Sequence, residues 1–279
     1  MKMQLVNLLL FSDKRKNFLL LLTEGPRNID EILDLLQVSR ISLLPHIKKL
    51  KEEGLIIQNG EVYSLSIIGN ILVKKARPLL DVVSMFEEND LFWSHRKLDS
   101  IPFHLLKRLG DLKGSQLLEP GLTHGFDLFP ELINHFTGSS KVILLFSYFH
   151  PQIPSFSLEL AKRDIQVQLI LSRDSFDRFS EDFRDTGEKI LAKKNASIFV
   201  YVGAPLEIPA LIAISESALL IGFFNTKGRF EGQYILNFEP RALSWGNELF
   251  EYYMGRSEKV CSMDCSDCSS DDQKVSHDL

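Results

Sequence analysis

Before Cys261 this sequence has no cysteine, and all three that it carries, Cys261, Cys265 and Cys268, fall in its last 19 residues. That excludes a core stapled by disulfides and fits a reducing compartment. Long hydrophobic runs are missing as well. Val142 to Phe146 is short and Leu211 to Phe224 is broken by polar residues, whereas a membrane span takes roughly 20 apolar residues. The start, Met1-Lys2-Met3-Gln4-Leu5, leads into an apolar patch ending at Phe11 but shows no small-residue cleavage site. No secretory leader is expected, and the cytoplasm is the expected location, with no membrane partner. There is no glycine-rich phosphate loop of Walker or Rossmann form. The His-x-Lys-x4-Asp signature of phospholipase D chemistry is absent too, because His150 precedes Pro151-Gln152 and His135 precedes Phe136-Thr137. Ser147 and His150 lie close in sequence, but no acid is placed with them. An enzyme is therefore not expected, nor a cofactor.

What is present suits about two domains: 279 residues, 44% apolar and 25% charged. The net charge of -5 is unevenly spread. Residues 1–78 carry 12 basic and 8 acidic groups, a net of +4, which leaves 20 basic and 29 acidic groups, a net of -9, for the remainder. A basic part on an acidic body is the asymmetry expected when one part meets phosphate.

The basic part reads as a three-helix module with a hairpin. Asp13 to Thr23 is helical and stops at Gly25-Pro26. Asn28 caps a short helix from Ile29 to Leu36, with Glu31 placed for a capping box. After a tight turn at Gln37-Val38, Ser39 caps a third helix from Arg40 to Glu53, ended by Gly54. Leu43, Ile47 and Leu50 make its buried stripe, and Arg40, Ser42, His46 and Lys49 are read as its outward face. Pro45 removes the hydrogen bond to Ile41 and either bends the helix or delays its start. Two β-prone runs, Leu55 to Gln58 and Glu61 to Leu65, flank Asn59-Gly60, a two-residue hairpin signal. A further helix begins at Ser66.

This is the layout of a winged helix-turn-helix. Through Ser39-Arg40, His46-Ile47-Lys48-Lys49-Leu50 and Glu53-Gly54-Leu55-Ile56, the segment resembles bacterial and archaeal regulators of the ArsR and MarR type. The DNA-binding residues expected are Ser39, Arg40, Ser42, His46, Lys48, Lys49 and, at the wing tip, Asn59. Arg and His donate to guanine acceptors, Ser serves several base edges, and Lys serves phosphate. The expected partner is double-stranded DNA, bound by a homodimer that reads two half-sites. The rival reading is an interaction protein whose winged helix contacts other proteins.

Residues 80–120 read as a helical connector and as the candidate dimerisation segment in this scheme. After Glu119-Pro120-Gly121 comes an α/β domain with a mixed sheet, residues 121–258. Its expected helices are Asp127 to Phe136, Ser155 to Arg163, Phe179 to Lys193 and Arg241 to Met254. Its expected strands are Lys141 to Phe149, Val167 to Leu171, Ser197 to Val202, Leu211 to Ser215, Ala218 to Phe224 and Gln233 to Phe238. The carboxyl ends of such strands are where ligands bind. Tyr148, His150, Ser172 and Arg173 are therefore candidates for a small-molecule effector, Arg173 suiting an anion.

Ile101-Pro102, Leu219-Leu220-Ile221-Gly222-Phe223-Phe224 and, above all, Trp245-Gly246-Asn247-Glu248-Leu249-Phe250-Glu251-Tyr252-Tyr253 resemble archaeal regulators of the methanogenesis-regulatory type. So does Leu44-Pro45-His46-Ile47-Lys48-Lys49-Leu50, which makes Pro45 a shared feature. The resemblance implies an archaeal DNA-binding regulator over residues 5–258 and does not supply a ligand. The remaining segment, 259–279, reads as a disordered tail. Its Cys261-x3-Cys265-x2-Cys268 spacing has only His277 to serve as a fourth ligand, so no metal is expected.

Overall fold

A computed structural model of the chain describes residues 4–119 and 135–263. The chain divides into two compact units, residues 1–83 and 84–279. Among the described residues, no helix is long and apolar enough to cross a membrane.

The first unit opens with α1 (Gln4–Leu10) and α2 (Asp13–Leu21). The two-residue strand β1 (Arg27–Asn28) leads into α3 (Ile29–Leu36). The Asn28 side chain caps α3 by accepting from the Asp30 amide at 3.1 Å. Glu31 does not complete the capping box; its carboxylate accepts from the Arg27 guanidinium instead. Gln37, at φ 53°, turns the chain out of α3. Helix α4 (Arg40–Glu52) then runs unbroken through Pro45. Ser39 caps it, its hydroxyl accepting from the Ser42 amide at 3.3 Å. Leu43, Ile47 and Leu50 are buried with Phe18, Leu19, Ile29, Ile32 and Tyr63. Each such side chain contributes about 1.5–3 kcal/mol by leaving water.

Strands β2 (Ile56–Asn59) and β3 (Val62–Leu65) form the expected hairpin, with its turn one residue later than expected. Asn59 pairs with Val62 inside the ladder, so the two loop residues are Gly60 and Glu61. Gly60 has φ 62°, and neither Asn59 nor Glu61 has a positive φ. That matches a turn with glycine at its first central position, a type II′ requirement. Strand β1 adds to the outer edge of β3. Helix α5 (Ile67–Glu88) follows, and the unit boundary falls within it.

The second unit is built on an eight-stranded sheet in the order β11-β7-β6-β5-β8-β9-β10-β4. Its strands are β4 (Gln116–Leu118), β5 (Lys141–Phe146), β6 (Gln166–Ser172), β7 (Ala196–Tyr201), β8 (Leu211–Ile214), β9 (Leu219–Gly222), β10 (Tyr234–Asn237) and β11 (Ser257–Lys259). The central β5, β6 and β7 are parallel and the remaining pairs antiparallel. Strands buried on both faces read as unbroken apolar runs, which is why Val142 to Phe146 shows no alternation. One face packs on α8 (Ile153–Lys162), α9 (Arg173–Asp182) and α10 (Arg184–Leu191) through Leu160, Phe176, Phe179 and Ile190. The other packs on α11 (Pro240–Met254) through Trp245, Leu249, Phe250 and Tyr253.

Residues expected as a connector share that second layer. Helices α6 (Asp90–Ser94) and α7 (Phe103–Leu106), with their flanks, bury Met85, Phe92, Trp93, Ile101, Leu105 and Leu112 in the same core as α11. The Trp245 indole donates to the Leu105 carbonyl at 3.0 Å, and Glu248 holds Arg108 at 2.7 Å. Gly246 lets α11 approach the sheet: a Cβ there would lie 2.7 Å from Leu219. The single helix expected over Phe179 to Lys193 is two, α9 and α10, the first starting at Arg173. Most of the expected helix Asp127 to Phe136 lies outside the described residues, as do Cys265, Cys268 and His277.

Candidate nucleic-acid interface

Helix α4 is amphipathic, and its buried stripe fixes which side chains face away from the first unit. At 100° per residue, the points opposite Leu43, Ile47 and Leu50 are Ile41, Pro45, Lys48 and Glu52, with Lys49 next on one side and Leu44 farther round on the other. The structure agrees: Ile41 is 86% exposed, and Pro45, Lys48 and Glu52 are exposed. The outward face is thus not the one marked by Arg40, Ser42, His46 and Lys49. Those four occupy the flanks.

On one flank lies Lys49, exposed. Ser42 is half-buried, and its hydroxyl donates to the Ser39 carbonyl at 2.9 Å. Ser39 is exposed, its hydroxyl serving the cap described above. His46 is half-buried beside the start of α2. Burial, with the nearby charges of Arg15 and Lys14, holds its imidazole below the ordinary 6.5. The imidazole is therefore neutral at pH 7, one nitrogen a donor and the other an acceptor. Nothing in the sequence spacing joined Arg15 and Lys14 to His46; only the packing of α2 on α4 does. The Arg15 guanidinium also donates to the Leu8 and Asn7 carbonyls at 3.1 and 3.2 Å.

On the other flank Arg40 is engaged. Its guanidinium pairs with Glu61, at the hairpin tip, at 2.7 Å. This links the first residue of α4 to the turn. Farther along, Lys51 donates to the Gln58 side chain at 2.7 Å. Lys48 has Glu52 at 3.9 Å, a loose pair. Lys14, Arg15, Lys49 and Lys51 have no carboxylate partner among the described residues. Asn59 is exposed on β2.

The effector candidates of the second unit lie near the carboxyl ends of β5 and β6, and the structure separates them. Ser172 is fully buried; its hydroxyl caps α9 at the Ser175 amide, 3.3 Å away, and donates to the Ser147 carbonyl. Those contacts withdraw it from any ligand. Tyr148 is 46% exposed and stands against Phe230, ring centroids 5.2 Å apart. His150 turns inward to its own loop, its Nδ1 accepting from the Gln152 amide at 3.2 Å. Arg173 is the first residue of α9 and not a loop residue. A cleft of about 480 Å³ lies instead beyond the end of β7, lined by Tyr201, Val202, Gly203, Gly255, Arg256, Ser257 and Glu258. None of the four candidates lines it.

Comparison with known proteins places these units. Residues 3–84 match the model of the N-terminal domain of the methanogenesis regulatory protein FilR1, and residues 126–256 match that of its middle domain. The methanogenesis regulatory protein FilR1 of Methanothrix harundinacea (strain 6Ac) is 22% identical over 253 residues, 89% of this chain and 56% of that protein. The chain thus spans a little over half the length of this relative. Among solved structures, the archaeal chromatin protein TrmBL2, described as showing a novel mode of DNA binding, is 12% identical with a TM-score of 0.42. That likeness covers 93% of this chain and 100% of the other. Nuc, a phospholipase D family member from Salmonella typhimurium, is 12% identical with a TM-score of 0.39 over 53% of this chain and 99% of its own. Both likenesses are distant, below the level at which a shared fold follows. With the two domain models of one family matching its two halves in order, the chain belongs to the methanogenesis regulatory protein FilR1 family.

Proposed function

We propose that this chain is a transcription regulator that binds duplex DNA through its first unit, a winged helix-turn-helix. In this reading α3 and α4 are the helix-turn-helix, α4 is the recognition helix, and the β2–β3 hairpin is the wing. The observation that carries it is α4 itself. One side is fully buried, the other stands clear of its unit, and the flanks and neighbouring α2 hold Lys49, Lys51, Lys14 and Arg15 without carboxylate partners among the described residues. Such cations neutralise phosphates and release counterions, while the helix between them enters the major groove. Membership of a family named for a regulatory protein supports the same reading.

The regulator acts as a homodimer in this reading. Ile67, Ile68 and Ile71, at the start of α5, are 81%, 59% and 56% exposed and offer an apolar surface for a second copy. The second unit is the seat of regulation, with Tyr148 and Arg173 near the strand ends as effector contacts. An effector that favours one spacing of the two recognition helices shifts operator affinity.

The test is fluorescence anisotropy of labelled duplexes against salt. Lys49→Ala is expected to weaken binding to all sequences alike and to reduce the slope of log K against log[salt] by about 0.9, one phosphate contact. Affinity and slope unchanged in Lys49→Ala and in a Lys14→Ala, Arg15→Ala double variant would overturn the reading.

A further inference from the structure

The part of α4 that points farthest from its unit offers no hydrogen-bonding side chain before Lys48. Ile41, Leu44 and Pro45 sit at i, i+3 and i+4, so they form one contiguous ridge. Ile41 is 86% and Leu44 43% exposed, and Pro45 is exposed beside them. Ile41 and Pro45 lie on the most solvent-facing line of this surface helix and Leu44 extends the ridge down one side, which reverses the usual pattern, in which that line is polar. The ridge is also ringed by positive charge: Arg40 at its head, Lys48, Lys49 and Lys51 beyond it. Of the two acids near it, Glu61 is paired with Arg40 at 2.7 Å and Glu52 lies 3.9 Å from Lys48, a loose pair. A second copy of this surface would bring like charge against like. A polyanion with apolar groups inside its groove fits both features.

Duplex DNA has such groups. On the major-groove edges of the four bases, only thymine displays an apolar substituent, the methyl on C5. Resting on the DNA-binding reading above, we propose that Ile41, Leu44 and Pro45 read thymine methyl groups, making the centre of the contact selective for A·T pairs through apolar packing. Hydrogen-bonded readout falls to the flanks, where Ser42 and His46 stand, and the lysines hold the backbone on either side. The signal lay in the sequence as Ile41-x2-Leu44-Pro45, but polar residue types drew attention to their neighbours.

The test removes the methyl from the DNA and leaves the protein intact. A random-sequence duplex pool is enriched on the full chain, and the recovered duplexes are resynthesised with deoxyuridine in place of thymidine. Burying one methyl-sized group is worth ~0.8 kcal/mol, so each contacted methyl should change affinity about four-fold. The wild-type chain is expected to prefer the thymidine duplexes by that factor or its multiples. Ile41→Ser, at an exposed position, should lose about four-fold of that preference, and an Ile41→Ser, Leu44→Ser double variant should lose more, approaching the wild-type affinity for the uridine form. Equal wild-type affinity for the two forms, with binding still salt-dependent, would overturn methyl reading and leave DNA binding standing. Binding of neither form would sink both. A thymidine preference unchanged in Ile41→Ser, with a shift from dimer to monomer in sedimentation, would assign the ridge to a second copy and overturn the proposal.

Discussion

On the proposed DNA-binding reading, Glu61→Gln should tighten binding, because Glu61 would compete with the phosphate backbone for Arg40. In the free protein the two side chains meet at 2.7 Å and are 49% and 59% exposed. A pair that open to water contributes about 0.2–1 kcal/mol. If Arg40 is to serve a phosphate or a base edge, that contact must be broken first. Removing the carboxylate lifts the cost, a gain of roughly 1.4- to 5-fold in affinity at 1.36 kcal/mol per decade. In the wild-type complex the released Glu61 carboxylate stays near the backbone and offsets one cation, so its removal also steepens the salt slope, by up to about 0.9. Between about 50 and 200 mM salt, a slope change of that size alters the affinity ratio about 3.5-fold. Anisotropy titrations at the two salt concentrations measure both quantities. Arg40→Ala supplies the opposite arm, with weaker binding and a shallower slope than Glu61→Gln. If both variants match the wild type in affinity and slope, Arg40 is no DNA contact and the pair merely straps the hairpin to α4.

Gly69→Ala should destabilise the first unit by about 1–3 kcal/mol or more, the range for forced overpacking. A Cβ there would lie 1.9 Å from the Leu55 carbonyl oxygen, and backbone cannot swing aside as a side-chain tip can. Urea unfolding that shows no loss would refute the close approach of α5 to the hairpin. Acid should weaken the same unit through His46. Its folded pKa is depressed by burial and by Arg15 and Lys14, so the unfolded chain binds the proton more readily. Stability is complete above the unfolded value of about 6.5 and is lost as pH falls through the lower folded value. His46→Gln should flatten that part of the stability–pH curve, and an unchanged curve would show that the imidazole is not so placed.

Much of this was legible where the physics is local. Asn28 and Ser39 cap the helices they were expected to cap, since a cap needs only its own side chain and the next turn. The hairpin slipped by one residue for a different reason. Asn59-Gly60 and Gly60-Glu61 both suit a two-residue turn, and the choice rests on burying Ile56 and Tyr63, which is tertiary. The outward face of α4 was misplaced because polar residue types suggested contacts, while the direction of each side chain follows from its angle to Leu43, Ile47 and Leu50. The helix α9 escaped notice because Arg173-Asp174-Ser175-Phe176-Asp177-Arg178 holds one apolar residue in six. Residues 80–120 read as a connector because an apolar helix looks the same whether it bridges two domains or roofs one. The effector candidates followed a fold-level rule for strand ends, which cannot show that a serine such as Ser172 is spent on capping.

The bond from Trp245 to the Leu105 carbonyl has a consequence for where this protein can be cut. The match to the family's middle domain begins at residue 126, yet the sheet covered by α11 is also covered by residues from Met85 to Leu112. Excision at 126 would strip part of that roof, take Trp93 from Phe223, remove the edge strand β4, and leave the indole N–H of Trp245 without its acceptor. The folding unit therefore begins some forty residues before the boundary that sequence kinship marks, and Ser84 is the earlier of the two places to cut.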